Sequence, residues 1–174
     1  MKTISKLLLC ASLVVGLTAC GSEKPSTYPI YPDNNKEVET PLFEVPDTFK
    51  VISFDEAESH WNDDKTVMVY SFTDCPHCAV VIPLLDEIES EAKTDTKYIY
   101  VDVTRNEREN GNEVYDKTVE HFTDYLGEDQ KMYVPFTVYL NDGEIIAAHI
   151  GDEGIDNTSI KETLTLYLNR LTNA

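Results

Sequence analysis

The stretch Thr66-Val67-Met68-Val69-Tyr70-Ser71-Phe72-Thr73-Asp74-Cys75-Pro76-His77-Cys78 joins a near-continuous apolar run to two cysteines three positions apart. The run 66–72 is rich in β-formers and reads as a strand buried on both faces. A helix is predicted from Cys75 to about Lys93, with Val81, Leu84, Leu85 and Ile88 on its apolar side. Cysteines at i and i+3 share one side of a helix's first turn. They can close a disulfide, and only one of them is expected to be fully presented to a partner. The strand delivers Cys75 to the helix N-terminus, where unpaired N–H groups and the dipole favour a negative sulfur. The thiolate is the attacking species, and cysteines so placed have pKa values lowered to roughly 3.5–7.5. Pro76 is expected at the first helical position, where its missing N–H costs nothing. The His77 ring can donate to the Cys75 sulfur or place positive charge beside it. Either effect stabilises the thiolate and makes a disulfide more oxidising. Asp74 opposes this if it points at the sulfur, and is placed to help cap the helix instead.

Four readings compete for Cys75 and Cys78. Half of a zinc site needs two further ligands, and there is no second Cys-x-x-Cys. A purely structural disulfide across i, i+3 closes too small a loop to contribute much. A covalent haem site needs histidine directly after the second cysteine, where Ala79 stands. A redox-active pair is the reading adopted, with no metal and no cofactor beyond the Cys75–Cys78 disulfide itself.

Working outward, Phe49 to Phe54 reads as a first strand. Asp55 to Trp61 reads as a short helix capped by Ser53 or Asp55. Trp61 reads as packing for that helix rather than as a substrate contact. Lys97 to Val103 is a second central strand. Asn112 to Leu126 carries Tyr115, Val119, Phe122 and Leu126 at helical spacing. Phe136 to Leu140 and Glu144 to Ile150 are strands joined by the turn signal Asn141-Asp142-Gly143. Ser159 to Leu171 is a last helix, with Ile160, Leu164, Leu168 and Leu171 on one face. The order is β-α-β-α-β-α-β-β-α, without internal repeat. His60, His121 and His149 show no ligand spacing with one another and suit surface or strand-edge positions.

The other two cysteines lie in a different context. Lys2 and Lys6 precede an apolar run from Leu7 to Leu17, and Leu17-Thr18-Ala19-Cys20 follows. A positive start, a short apolar stretch and small residues at the cut make a secretory signal, too short to span a bilayer comfortably. Leu-Thr-Ala-Cys resembles the bacterial lipobox, in which the cysteine is lipidated and becomes the first mature residue. Two acyl chains on Cys20, at about 0.8 kcal/mol per buried CH2, anchor stably where one does not. Residues 1–19 are thus read as a leader that takes Cys10 with it. Residues 20–46 are read as a lipidated tether and 47–174 as the folded domain. The tether holds five of the eight prolines and should be extended and mobile, although Tyr28, Ile30 and Tyr31 could dock on the domain.

The formal net charge is −18, from 32 acidic and 14 basic residues. Such a chain is repelled by nucleic acid and by anionic headgroups, so no nucleic-acid partner is expected. It suits basic partners, or simply solubility at a crowded surface.

Over roughly residues 49 to 171 the chain resembles the thioredoxin superfamily, and on more than Cys-x-x-Cys. Pro83 falls five residues after Cys78, where the helix of the family carries a kinking proline. Val134-Pro135 opens a strand, as the family's cis-proline does, and Gly143 and Gly151 follow as in its final hairpin. The resemblance implies an α/β thioredoxin fold, a central mixed sheet flanked by helices on both faces. It implies that Pro135 is cis, beside Cys75, and that the Val134 backbone pairs with a bound substrate segment. Cys-Pro-His-Cys resembles the active site of DsbA-type oxidases, though their large helical insertion is lacking. Overall the chain looks like the small thioredoxin-like lipoproteins of Gram-positive bacteria, including bacteriocin-accessory proteins.

Two departures stand out. Family members often place a buried acid six residues before the first cysteine, to move protons for the second; Val69 stands there. The aromatic residue often found just before the motif is Asp74. The expected function is therefore thiol-disulfide exchange on exported proteins at the outer face of a bacterial membrane, recycled by a separate redox partner. Oxidase or isomerase is expected ahead of reductase. A non-catalytic metal- or peptide-binding lipoprotein is the alternative of another class.

Overall fold

A computed structural model describes residues 42–103, 111–151 and 157–174. Leader, Cys20 and the tether up to residue 41 lie outside them, so the expectations placed on those residues do too. β1 (Phe49–Ser53), β2 (Thr66–Ser71) and β3 (Lys97–Asp102) run parallel. β4 (Phe136–Asn141) is antiparallel to β2, and β5 (Glu144–Ile150) antiparallel to β4. The sheet order is β1-β3-β2-β4-β5. Placing β3 between β1 and β2 buries β2 at the centre, which explains why all six of its residues are buried. With helices on both faces this is the thioredoxin fold.

Period-2 alternation divides the strands between two cores. On one face Met68, Tyr70, Ile99, Val101, Phe136 and Val138 pack with the 3-10 helix Phe54–His60 and with Phe122, which follows an α-helix at Glu113–His121. On the other, Val67, Val69, Tyr98, Tyr100 and Tyr139 pack against the long helices Cys78–Ala92 and Asn157–Thr172. These three α-helices are α1 (Cys78–Ala92), α2 (Glu113–His121) and α3 (Asn157–Thr172). Lys161 on α3 bridges Glu87 and Glu91 of α1 at 3.0 and 2.9 Å.

Local signals act where they were expected. The Ser53 N–H and hydroxyl both donate to the Glu56 carboxylate, at 2.9 and 2.8 Å, closing a capping box. Those bonds hold the Glu56 carboxyl below its ordinary pKa, the backbone donor first. Asp142 and Gly143 both have positive φ, 50° and 84°, and turn β4 into β5. At Gly143 the positive φ favours glycine, and a Cβ would also press on the Asn62 Oδ1 at 2.7 Å, so that side chain would have to move aside. Asn112 caps α2, its Oδ1 accepting from the Tyr115 N–H at 2.7 Å.

Two boundaries differ from expectation. The periodic reading from Asn112 to Leu126 breaks at Phe122, and a separate 3-10 turn covers Thr123–Tyr125. The regular part of α1 begins at Cys78 rather than Cys75. The last five residues assigned to the tether, 42–46, also lie against the domain. The Leu42 N–H donates to the Thr73 carbonyl at 2.8 Å, and Phe43 meets the Tyr100 ring edge-on at 6.4 Å. No described helix is long and apolar enough to cross a membrane.

Candidate active site

β2 ends at Ser71 and the chain turns over residues 72–77 before α1. The Cys75 N–H donates to the Phe72 carbonyl at 3.2 Å, and the Cys75 carbonyl accepts the Ala79 N–H at 3.1 Å. Cys75 therefore takes the first helical hydrogen bond, while Pro76 and His77 form the turn above it. Pro76 is exposed and lies inside the turn that this bond closes, two residues ahead of the regular helix. His77 is the residue before the first regular turn and already has helical backbone angles. Pro83 lies inside α1, exposed, as the sequence placed it.

Cys75 and Cys78 are both free thiols. The Cys78 N–H donates to the Cys75 Sγ at 3.3 Å, and the Cys75 thiol faces the Val134 carbonyl at 3.8 Å. The Val134–Pro135 peptide is cis. The strand-opening Pro135 and the helix-opening cysteines, about sixty residues apart in the chain, thus share one end of the sheet. Both cysteines pack with the aromatic core, while the rest of α1 packs with the opposite one. The pair sits where the two cores meet.

The expectation that one cysteine would be openly presented is not met, because Cys75 and Cys78 are each 0 % exposed. Cys75 is packed against the Val134 carbonyl at 3.8 Å. The two thiols are nevertheless set far apart chemically. The Cys75 pKa is lowered to about 7, chiefly by the hydrogen bond with the Cys78 side chain. Burial works against this, and the Cys78 and His77 backbone N–H groups and the His77 ring add smaller support. Burial pushes the Cys78 thiol far up, and the neighbouring Cys75 sulfur pushes it further. The sequence assigned thiolate stabilisation to the helix N-terminus and to His77; the structure gives the leading part to the Cys78 side chain, with the backbone N–H groups next and the His77 ring last. Side-chain position decided this, and no sequence signal carried it.

Val69 lies fully buried in mid-β2. The polar residues that do line this end, Ser71 and Tyr100, were read from sequence only as strand residues. Among the described residues no cluster of three or more His, Cys, Asp or Glu could hold a metal. His60 bonds Asp63 at 2.8 Å and His121 stacks on Trp61 at 4.1 Å. His149 lies on the edge strand β5, yet buried rather than at the surface.

The fold and the paired thiols define the class: a thioredoxin-fold protein with a Cys-x-x-Cys centre. No family model and no curated protein matches the chain. Among solved structures it is similar to mitochondrial thioredoxin 3 of Saccharomyces cerevisiae in its oxidised form, at 16% identity over 67% of this chain and 92% of that one, with a TM-score of 0.42. It is similar also to the thioredoxin of Malassezia sympodialis, at 20% identity over 68% and 91%, TM-score 0.42. A third likeness is to a structure on thiol resolution in yeast mitochondrial 1-Cys peroxiredoxin, at 17% identity over 66% and 92%, TM-score 0.42.

Proposed function

We propose that the chain is a thiol-disulfide oxidoreductase acting on exported proteins, with Cys75 as the exchanging sulfur and Cys78 as the resolving one. The observation that carries this is the division between two adjacent sulfurs. One is brought to about 7 and accepts a helix-terminal N–H at 3.3 Å; the other is held protonated by burial. That is the asymmetry thiol exchange needs, since the thiolate attacks and the better leaving group departs.

In the oxidising direction a client thiolate attacks the Cys75 sulfur of the Cys75–Cys78 disulfide. A mixed disulfide forms, a second client thiol resolves it, and the dithiol is released. In the reducing direction Cys75 attacks a client disulfide and Cys78 expels the client. The Val134 backbone and Pro135 form the client's docking edge. Lipid on Cys20 holds the domain at the outer face of the membrane, where a separate redox partner recycles the pair. Outside the cytoplasm oxidation or isomerisation is the natural demand.

One observation favours the reducing direction as a second reading. The Cys75 pKa of about 7 matches the roughly 7 of thioredoxin rather than the roughly 3.5 of a strong oxidant. The reduction potential of the Cys75–Cys78 couple separates the two. A value near about −120 mV marks an oxidant and one near about −270 mV a reductant. Failure of the two thiols to form a reversible couple overturns both.

A further inference from the structure

The turn that carries Cys75 is held from outside as well as from within. Inside it, the Phe72 carbonyl accepts the Cys75 N–H at 3.2 Å. The next carbonyl, that of Thr73, accepts the Leu42 N–H at 2.8 Å. Two successive carbonyls are thus fixed, one by the cysteine itself and one by a segment that precedes β1.

That segment takes a long way round to the first strand. β1 begins at Phe49, which pairs with Tyr98 of β3, and Tyr98 pairs with Val67 near the start of β2. The cysteines follow the opposite end of β2. Residues 42–48 therefore run the length of the sheet, from the cysteine end to the far one. They are fastened along the way. Phe43 is half-buried and packs with both cores, its ring edge-on to Tyr100 at 6.4 Å. Val45 packs with the core under α1 and α3. The Pro46 carbonyl accepts the Phe49 N–H at 3.0 Å, and the Thr48 hydroxyl donates to the Asp86 carboxylate of α1 at 2.6 Å. Leu42 itself is 49 % exposed. Its backbone bond to Thr73 is therefore not a by-product of burying its side chain.

We propose that residues 42–46 are a positioning strap for the cysteine turn, with Leu42 holding the Thr73 carbonyl and Phe43 seated on Tyr100. This rests on the reading of Cys75 and Cys78 as a redox pair, and names what keeps that pair in place. With the turn fixed, the Cys75 Sγ stays over the Cys78 N–H at 3.3 Å and against the Val134 carbonyl at 3.8 Å. A hydrogen bond weakens steeply as its angle drifts from linear. The negative form of Cys75 therefore depends on the turn being held. Leu42 and Phe43 act through Thr73 and Tyr100, and so are positioning residues.

The test is peptide-resolved alkylation of the reduced full chain across pH, with thermal unfolding alongside. Leu42→Pro removes the N–H and leaves the packed side chains of the strap in place. Phe43→Ala removes the ring and leaves the N–H. Each is expected to raise the Cys75 labelling midpoint by about one pH unit, a tenfold loss of acidity. The reduction potential of the couple falls with it, because a less stable thiolate makes a less oxidising disulfide. Phe43→Tyr, which keeps the ring, restores the midpoint. Phe122→Ala is the control for lost stability: it lowers the unfolding temperature and leaves the midpoint in place. An equal shift in Phe122→Ala makes the effect a consequence of lost stability alone and overturns the strap. If Leu42→Pro fails to fold, Phe43→Ala decides. An unmoved or lowered midpoint in either folded variant overturns the strap and leaves the redox pair standing. A wild-type Cys75 that labels like an ordinary cysteine, near about 8.5, overturns both.

Discussion

The two faces of the sheet are built from the same strands and differ in how their buried hydroxyls are matched, although Tyr139 on the second does donate to the Leu164 carbonyl at 3.4 Å. On the face toward the 3-10 helix and α2, the buried Tyr70 hydroxyl accepts the Trp61 Nε1–H at 2.8 Å. Around it Trp61, Phe54, Phe122 and Phe136 meet at 5.4–6.0 Å, mostly edge to face. On the face toward α1 and α3, the hydroxyls of Ser71, Tyr98, Tyr100 and Thr137 are buried without an ordinary hydrogen bond. The first face is a packed scaffold whose central polar atom is matched. The second tolerates unmatched hydroxyls, and that is the face on which the resolving cysteine's helix lies. Both thiols pack at the margin of the first face, and deep substitutions on that face are expected to cost stability while leaving their acidity alone.

The largest break in that comparison comes at the junction of the two faces. Cys75→Ser is expected to abolish exchange in an insulin-reduction or oxidative-refolding assay. Cys78→Ser is expected to trap clients as mixed disulfides on non-reducing gels, because only the attacking sulfur remains. Next, Phe122→Ala on the scaffold face should cost about 3–5 kcal/mol of stability by denaturant melts, with the Cys75 alkylation midpoint unmoved. A midpoint that follows the loss of stability would contradict that expectation.

Trp61→Phe is a sharper cut on the same face. It strands the Tyr70 hydroxyl and should cost about 1–3 kcal/mol. Adding Tyr70→Phe should return part of that loss, since removing both partners is far less costly than removing one. The smallest effect is expected from His77→Ala. The His77 ring is the last of the influences lowering the Cys75 pKa. Its loss should raise the alkylation midpoint by less than a tenfold change in acidity, under about 1.4 kcal/mol.

Much of the architecture was legible because it is written in short-range pattern. The apolar run 66–72, the Asn-Asp-Gly turn and the four leucine-spaced positions of α3 each act locally, and each element formed where its pattern lay. The cap at Ser53, one of the two residues the sequence offered, and the cis Val134–Pro135 peptide, implied by the superfamily resemblance, were also visible, while the part of Glu56 was not. The site was legible in its members but not in its energetics. That Cys75 is buried against Val134 depends on packing between segments about sixty residues apart. That Cys78 outweighs His77 depends on where two side chains point. Ser71 and Tyr100 had a sequence signal, a polar atom at alternate positions of otherwise apolar central strands. Only the pairing of β2 with β3 shows that they share a face.

The most direct measurement is peptide-resolved alkylation of the reduced chain as a function of pH, followed by mass spectrometry. The thiolate reacts, so labelling rises with pH through each thiol's pKa. Cys75 is expected to label with a midpoint near 7, while Cys78 stays unlabelled well past that of an ordinary cysteine, about 8.5. Equal midpoints near about 8.5 for both, or earlier labelling of Cys78, would contradict the account.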